Sequence, residues 1–226
     1  MSGTEPPWFG QLERWPRVGH IDFDPSRFEG REGYFLLTAL VVPRPIAWVS
    51  TVAADGARNL APHSYFNAIS SNPLVIHFTS TGVKDSLRNV RVTGEFVVNI
   101  VSFPLAEAMN LSAANFPPEE DEFEWADLED TPSTTVAPPR VAGAAAAFEC
   151  TVNRIVSIGN GHMVFGDVTH IVVNEDVMRD GRVAPDLLDP IGRLGGSWYT
   201  RAATDLFRMK RPTYEELRSG SNESAV

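Results

Sequence analysis

Residues 43–99 read PRPIAWVSTVAADGARNLAPHSYFNAISSNPLVIHFTSTGVKDSLRNVRVTGEFVVN, and this stretch decides the fold. Residues 46–52 are an apolar run with β-branched members that stops at Ala54-Asp55-Gly56. Asp-Gly between two extended runs predicts a hairpin turn, because glycine enters positive φ without steric cost. A polar stretch, residues 63–73, leads to a buried-looking strand over residues 74–78. Thr79-Ser80-Thr81-Gly82 then reads as a loop feeding a helix that begins around Lys84-Asp85-Ser86 and stops at Thr93-Gly94. Residues 95–101 are the next strand. The stretch is a β-meander with one short helix. Its small polar residues punctuate apolar strands where a phosphate or the edge of a heterocycle can be held.

Upstream, residues 1–31 combine Pro, Gly and charge with Trp8, Phe9, Trp15, Phe23 and Phe28. So many rings predict an arm lying on the domain rather than a solvated tail. Residues 34–42 are a strand candidate, and Pro43 and Pro45 hold Arg44 extended. Downstream, Ser102-Phe103-Pro104 opens a helix running to Asn115, and Phe116-Pro117-Pro118 stops it. Residues 119–124 are acidic and precede Trp125. They read either as a solvated loop with two aromatic anchors or as a segment flanking a substrate opening. Residues 136–141 form a Pro-broken loop. A long strand over 145–158, a turn at Gly159-Asn160-Gly161 and a returning strand over 162–173 follow, and Asp180-Gly181 marks another turn. After Tyr199 the chain is charged and is expected to fray beyond about Leu217. Strands therefore dominate, with two or three short helices. The expected organisation is an arm (1–31), one domain (32–200) and a tail (201–226).

The 226 residues suit a single domain with an ample core. A formal net charge of −10 argues against nucleic acid or an anionic membrane as the partner. The single Cys150 excludes an internal disulfide and a four-cysteine cluster. It lies on the parity of Phe148 and Val152, as a small buried hydrophobe would. No stretch is long and apolar enough to span a membrane, and the N-terminus lacks a signal pattern, so a cytoplasmic protein is expected. The five histidines show no ligand spacing, so no metal is expected. Rossmann, Walker and nucleophile-elbow fingerprints do not occur.

Four groups of residues bear on chemistry. If a helix starts at Lys84-Asp85-Ser86, its free N–H groups, the Lys84 cation and the Ser86 hydroxyl can hold a phosphate. Equally, Asp85 or Ser86 caps the helix while Lys84 points to water. The 64–70 stretch offers hydroxyls and a backbone turn, or a loop satisfying its own carbonyls. Trp48, Val49, Ser50 and Thr51 can wall a flat heterocycle or sit in the core. His162 opens a hairpin strand.

Seven segments, in order, resemble the flavin reductase-like family, whose fold is an FMN-binding split β-barrel: residues 44–51, 59–67, 71–74, 84–89, 94–99, 162–168 and 193–199. The similarity spans residues 43–199. It implies a mainly β split barrel with a few short helices, and a flavin phosphate on Lys84, Asp85 and Ser86. The ribityl chain and pyrimidine edge would run along Asn67, Ala68, Ile69 and Ser70, with His63 and Ser64 beside them. Trp48, Val49, Ser50 and Thr51 would form the ring platform. His162 would lie near the nicotinamide or flavin as the catalytic candidate, although hydride transfer from nicotinamide C4 to flavin N5 needs no side-chain base. The implied cofactor is FMN, with FAD as the alternative, and NADH or NADPH is the donor, its nicotinamide stacked on the flavin without a dinucleotide fold. The implied protein is a homodimeric flavin reductase, with residues 193–199 completing the partner's pocket, and it serves a monooxygenase or another acceptor. The alternatives are a flavoredoxin-like electron carrier and a non-catalytic flavin-binding protein.

Overall fold

A computed structural model describes residues 19–218. Residues 34–204 form one compact unit, and the described ends, residues 19–33 and 205–218, belong to a second. In that second unit Asp24 caps a single 3-10 turn (Pro25–Arg27). A short helix, Tyr214–Arg218, has Glu216 accepting from the Thr213 N–H and Lys210. Trp8, Phe9 and Trp15 of the expected arm lie outside the described residues, as do residues 219–226 of the tail.

The strand expected over residues 34–42 is instead a helix, α1 (Glu32–Leu40). The run is apolar on every side, so its periodicity cannot separate strand from helix. Glu32 in the first turn and the Leu and Ala content favour helix. Thr38, β-branched, is accommodated by its hydroxyl donating to the Tyr34 carbonyl at 2.9 Å. Arg44 and Pro45 then form the extended β1 (Arg44–Pro45).

β2 (Ala47–Val52) and β3 (Arg58–His63) make the expected hairpin, with Gly56 at φ +93°. The polar stretch that follows is itself a strand, β4 (Phe66–Ser71), which among the described residues pairs only with β5 (Leu74–Thr81). An edge strand with exposed residues carries no alternating apolar signal, which is why the sequence does not announce it. α2 (Asp85–Thr93) ends at Gly94, which takes φ +72° and returns its N–H to the Val90 carbonyl. β6 (Glu95–Ile100) follows.

A 3-10 turn at Phe103–Leu105 leads into α3 (Ala106–Leu111), which stops short of the expected Asn115. The acidic run does not read out as a solvated loop. Its second half is α4 (Glu122–Trp125), capped by Asp121, with Glu122 and Phe123 buried. β7 (Asp130–Thr131) and β8 (Arg140–Val141) form a small ribbon. The long hairpin of β9 (Ala146–Ile158) and β10 (Gly161–Val173) is as expected. A second ribbon, β11 (Met178–Arg179) and β12 (Arg182–Val183), turns at Asp180-Gly181. After α5 (Pro185–Leu188), β13 (Ile191–Arg193) pairs with β1 and with β14 (Tyr199–Arg201). The described residues thus hold six short helices rather than two or three.

Seven antiparallel strands form the main sheet in the order β3-β2-β6-β9-β10-β5-β4. It curls around a core of Val49, Ile76, Phe78, Phe96, Val98, Cys150 and Val164, plugged by Leu87 and Val90 of α2. Each fully buried large side chain contributes roughly 1.5–3 kcal/mol. Gly166 is required here, since a Cβ at that position would lie 2.3 Å from the Phe96 ring. Cys150 is wholly buried, and burial pushes its thiol pKa far up, as suits a packing residue. A second core joins Trp48, Leu60, Met109, Phe123 and Ile191 on the outer side of the sheet's β2–β3 end.

The curl brings β3, at one edge, against β5, next to the other edge. The His63 ring on β3 lies 4.8 Å from the Phe78 ring on β5, while the Thr79 N–H donates at 2.8 Å to the carbonyl of Tyr65, which leads into β4. The result is a mainly β split barrel, and the N-terminus of α2 sits at the split.

Candidate functional site

A cavity of about 350 Å³ opens at this split. Its walls are the end of β3 (Asn59, Ala61, Pro62, His63), the connection through Ser64 and Tyr65, and Thr79 and Thr81 of β5. The first turn of α2 (Lys84, Asp85, Ser86, Arg88), the segment after α3 (residues 112–116) and Glu122 complete them. α2 begins here because Lys84 is extended, at φ −114° and ψ 177°, and the chain turns helical at Asp85. Among the described residues no side chain caps that turn. Asp85 turns away to Arg88, three residues along the helix. The first backbone N–H groups and the positive end of the helix dipole are therefore left for whatever enters the cavity.

Behind that turn lies a buried polar network. Asn59 Nδ2 donates to Thr51 Oγ1 and to Ser86 Oγ, both at 3.2 Å, and Asn89 Nδ2 donates to Thr51 Oγ1 at 3.0 Å. His63 Nε2 lies 3.2 Å from Ser86 Oγ. Burial, and then the Lys84 charge, pushes the His63 pKa down to about 4, against an opposing backbone hydrogen bond with Thr79. The ring is neutral at physiological pH. Glu122 is displaced the other way. Burial raises its pKa, partly offset by the Leu60 N–H, which donates to its carboxylate at 3.0 Å.

Arg44 braces the opposite wall. Its buried guanidinium donates to the Thr38 carbonyl, to the Val41 and Leu194 carbonyls at 2.9 Å each, and to Ser64 Oγ at 3.4 Å. One side chain thus ties the end of α1, the β13–β14 hairpin and the Ser64 turn together. A planar fork with five donors does this where a lysine could not.

Of the residues singled out from the sequence, His63, Ser64, Lys84, Asp85 and Ser86 come together in the cavity. Trp48, Val49, Ser50 and Thr51 do not. All four are wholly buried. Trp48 Nε1 donates to Ser112 Oγ at 2.8 Å, Ser50 donates to the Pro139 carbonyl, and Thr51 sits in the network just described. Asn67, Ala68 and Ile69 are exposed on β4, with Ser70 half-buried beside them, and none lines the cavity. His162 stands at the mouth of the β9–β10 hairpin, opposite Ser80, with Nδ1 2.7 Å from Ser157 Oγ. It too lies outside the cavity wall. Sequence reasoning assigned no site role to Asn59, Thr79 or Thr81; Glu122 lines the cavity, in keeping with the reading of the acidic run as a segment flanking an opening. For β3 a signal existed: Asn59, Ala61 and His63 alternate on one face, small or polar where a core strand would be apolar.

His63 makes stability depend on pH in a defined window. Its folded pKa lies below the unfolded value near 6.5, so between pH 6.5 and about 4 the unfolded chain binds the extra proton. Its contribution to stability is intact above pH 6.5 and falls by about 3 kcal/mol on going to pH 4. Urea unfolding across that range should show a steeper loss in the parent than in His63→Gln. Parallel curves would contradict the assignment. Glu122, retained in both proteins, cancels from the comparison.

The family model described as flavin reductase like domain matches residues 39–189. An uncharacterized protein of Aquifex aeolicus is 38% identical over 188 residues, which is 80% of this chain and 96% of that protein. Among solved structures, nitrilotriacetate monooxygenase component B from Bacillus cereus superposes with a TM-score of 0.81 at 33% identity, over 85% of this chain and all of that one. The 2-nitrobenzoate 2-nitroreductase NbaA of Pseudomonas fluorescens gives 0.80 at 35% identity, over 86% and 98%. The match covers the curled sheet, α2 and its open N-terminus together, and the chain belongs to the flavin reductase-like family.

Proposed function

We propose that the protein is an NAD(P)H-dependent flavin oxidoreductase that holds its flavin by the phosphate at the N-terminus of α2. The observation that carries this reading is the uncapped first turn of α2, opening with Lys84 into a cavity of about 350 Å³. Three kinds of donor line it: helix N–H groups, the Lys84 ammonium and the Ser64 hydroxyl. That donor set fits a phosphate ester, and FMN or FAD supplies one. A flavin held there would supply hydride acceptance at its N5 and onward electron transfer. This chain's residues bind and orient it. Asn67, Ala68, Ile69 and Ser70, on the edge strand that starts just beyond Ser64, are available to the ribityl chain and ring. His162 enters the proposal only as a group near the nicotinamide. Trp48, Val49, Ser50 and Thr51 would support the ring site from beneath, through the core.

A second copy of the chain would complete the ring end. α1 presents Leu37 and Leu40 to solvent, each more than half exposed, and the β13–β14 hairpin presents Trp198 at 76%. Rings and leucines on an isolated surface favour a symmetric partner over water. Sedimentation velocity at micromolar concentration should show a dimer, and a monomer that still binds FMN tightly would remove this part of the proposal.

The likeness to a monooxygenase component supports delivery of reduced flavin or electrons to an acceptor. The likeness to a nitroreductase supports a second reading, in which the reduced flavin acts directly on a small nitroaromatic molecule. A carrier without nicotinamide oxidation is the third. Anaerobic mixing of the flavin-loaded protein with NADH or NADPH should bleach the flavin band at about 450 nm. No bleaching with either nucleotide would favour the carrier.

Lys84→Ala tests the phosphate site itself. A charge-assisted hydrogen bond is worth roughly 1.5–3 kcal/mol, so FMN affinity should fall by about one to two orders of magnitude. Riboflavin, with the same ring and ribityl chain but no phosphate, should bind as before. Fluorescence titrations of both ligands decide it. Equal weakening of both would place the damage at the ring or the fold, and no weakening would leave Lys84 a solvated residue.

A further inference from the structure

Hydrogen-bond bookkeeping at Ser86 shows what the open helix turn does not. Ser86 Oγ has one hydrogen, and the Asn59 amide already donates to that oxygen at 3.2 Å. His63 Nε2 lies at the same distance on its other side; with the hydrogen of the neutral ring assigned to Nδ1, the ring's backbone hydrogen bond being to Thr79, Nε2 is the acceptor and the Ser86 hydrogen points at it. Ser86 is 1% exposed and His63 8%. With His63 neutral, the hydroxyl is directed into the interior and presents no hydrogen to the cavity.

We infer that His63 is a positioning residue for the anion at α2, and that anion binding and protonation of the His63 ring are coupled through the Ser86 hydroxyl. When Nε2 takes a proton from solvent it becomes a donor to Ser86 Oγ. The oxygen then accepts from His63 and Asn59 together, and its own hydrogen turns outward to the anion. The ring also adds a second positive charge beside Lys84. In the empty cavity that charge is opposed by burial and by Lys84, and a bound phosphate reverses the balance by facing both cations. The other titratable groups on the same walls are Tyr34 on α1, Tyr65 between β3 and β4, Asp85 and Arg88 on α2, and Glu122 on α4. Asp85 is held by Arg88, and Glu122 by the Leu60 N–H. His63 is the group in direct contact with Ser86. The inference rests on reading the cavity as a phosphate site.

The test is the affinity for FMN and for riboflavin, by fluorescence titration of the full chain between pH 8.5 and pH 6.5, in the parent and in His63→Gln. One coupled proton gives at most a tenfold change per pH unit, so FMN affinity in the parent should rise about three- to tenfold as the pH falls from 8 to 6.5. The second ionisation of the phosphate, near pH 6, acts with the opposite sign and cannot imitate this. Riboflavin affinity should stay flat in both proteins, and FMN affinity should be flat and weaker in His63→Gln. Should His63→Gln fail to bind riboflavin, and so fail to fold, calorimetry of FMN binding to the parent in two buffers of different ionisation heat reads the proton directly. Net proton uptake supports the coupling. A flat FMN profile in the parent, a slope that survives in His63→Gln, or net proton release overturns it while leaving the phosphate site standing. FMN binding no tighter than riboflavin at every pH overturns the phosphate site, and the coupling with it.

Discussion

A sheet that curls on itself without closing leaves two edges facing each other, and something must fill the gap. Here β3 approaches β5 across that gap, and α2 enters between them with Leu87 and Val90 in the core. Its C-terminal end is finished by Gly94. Its N-terminal end cannot be buried without partners for its first N–H groups, so it opens into a cavity instead. The same constraint that plugs the barrel therefore creates an electropositive opening at its mouth.

The walls of that opening are held by polar side chains that reach across the fold. Arg44 joins α1, the Ser64 turn and the β13–β14 hairpin. Asn59 and Asn89 meet on Thr51, and Asn59 continues to Ser86. On the outer side, Trp48 is bonded to Ser112, at the start of the segment that closes one wall. Arg58 binds Asp121 and lies 5.3 Å above the Phe123 ring, holding α4 to β3. Buried networks of this kind are costly when a member is missing, and they fix geometry when complete. The residues that shape the site are thus mostly not those that would touch a ligand.

What the sequence shows, and what it hides, follows from where each residue spends its side chain. The β2–β3 hairpin was legible because Asp55-Gly56 demands a turn, and α2 because Thr93-Gly94 ends it. The β9–β10 pair was legible from two long apolar runs about Gly159-Asn160-Gly161. α1 was misread because Tyr34, Phe35, Leu37 and Leu40 leave no polar face to set a period. α4 was misread because Glu122 and Phe123 are buried within a run of acids, and only the tertiary partner, the Leu60 N–H, makes a buried glutamate there tolerable. The helix start at Lys84-Asp85-Ser86 was legible by motif. That Trp48 and Val49 are interior was open in their composition, whereas Ser50 and Thr51 are interior only because the Pro139 carbonyl and the Asn59 and Asn89 amides meet their hydroxyls. The role of His63 was not legible, because it depends on which atom of Ser86 faces it.

The central claim is that the N-terminal turn of α2 receives the flavin phosphate, and amide chemical shifts test it most directly. In ¹H–¹⁵N spectra of the protein titrated with FMN and, separately, with riboflavin, shifts common to both report the ring and ribityl chain. Shifts seen only with FMN report the phosphate. The account predicts that the FMN-only shifts centre on the amides of Asp85, Ser86 and Leu87, with smaller ones at Ser64. FMN-only shifts centred elsewhere, with the Asp85, Ser86 and Leu87 amides unmoved, would contradict it.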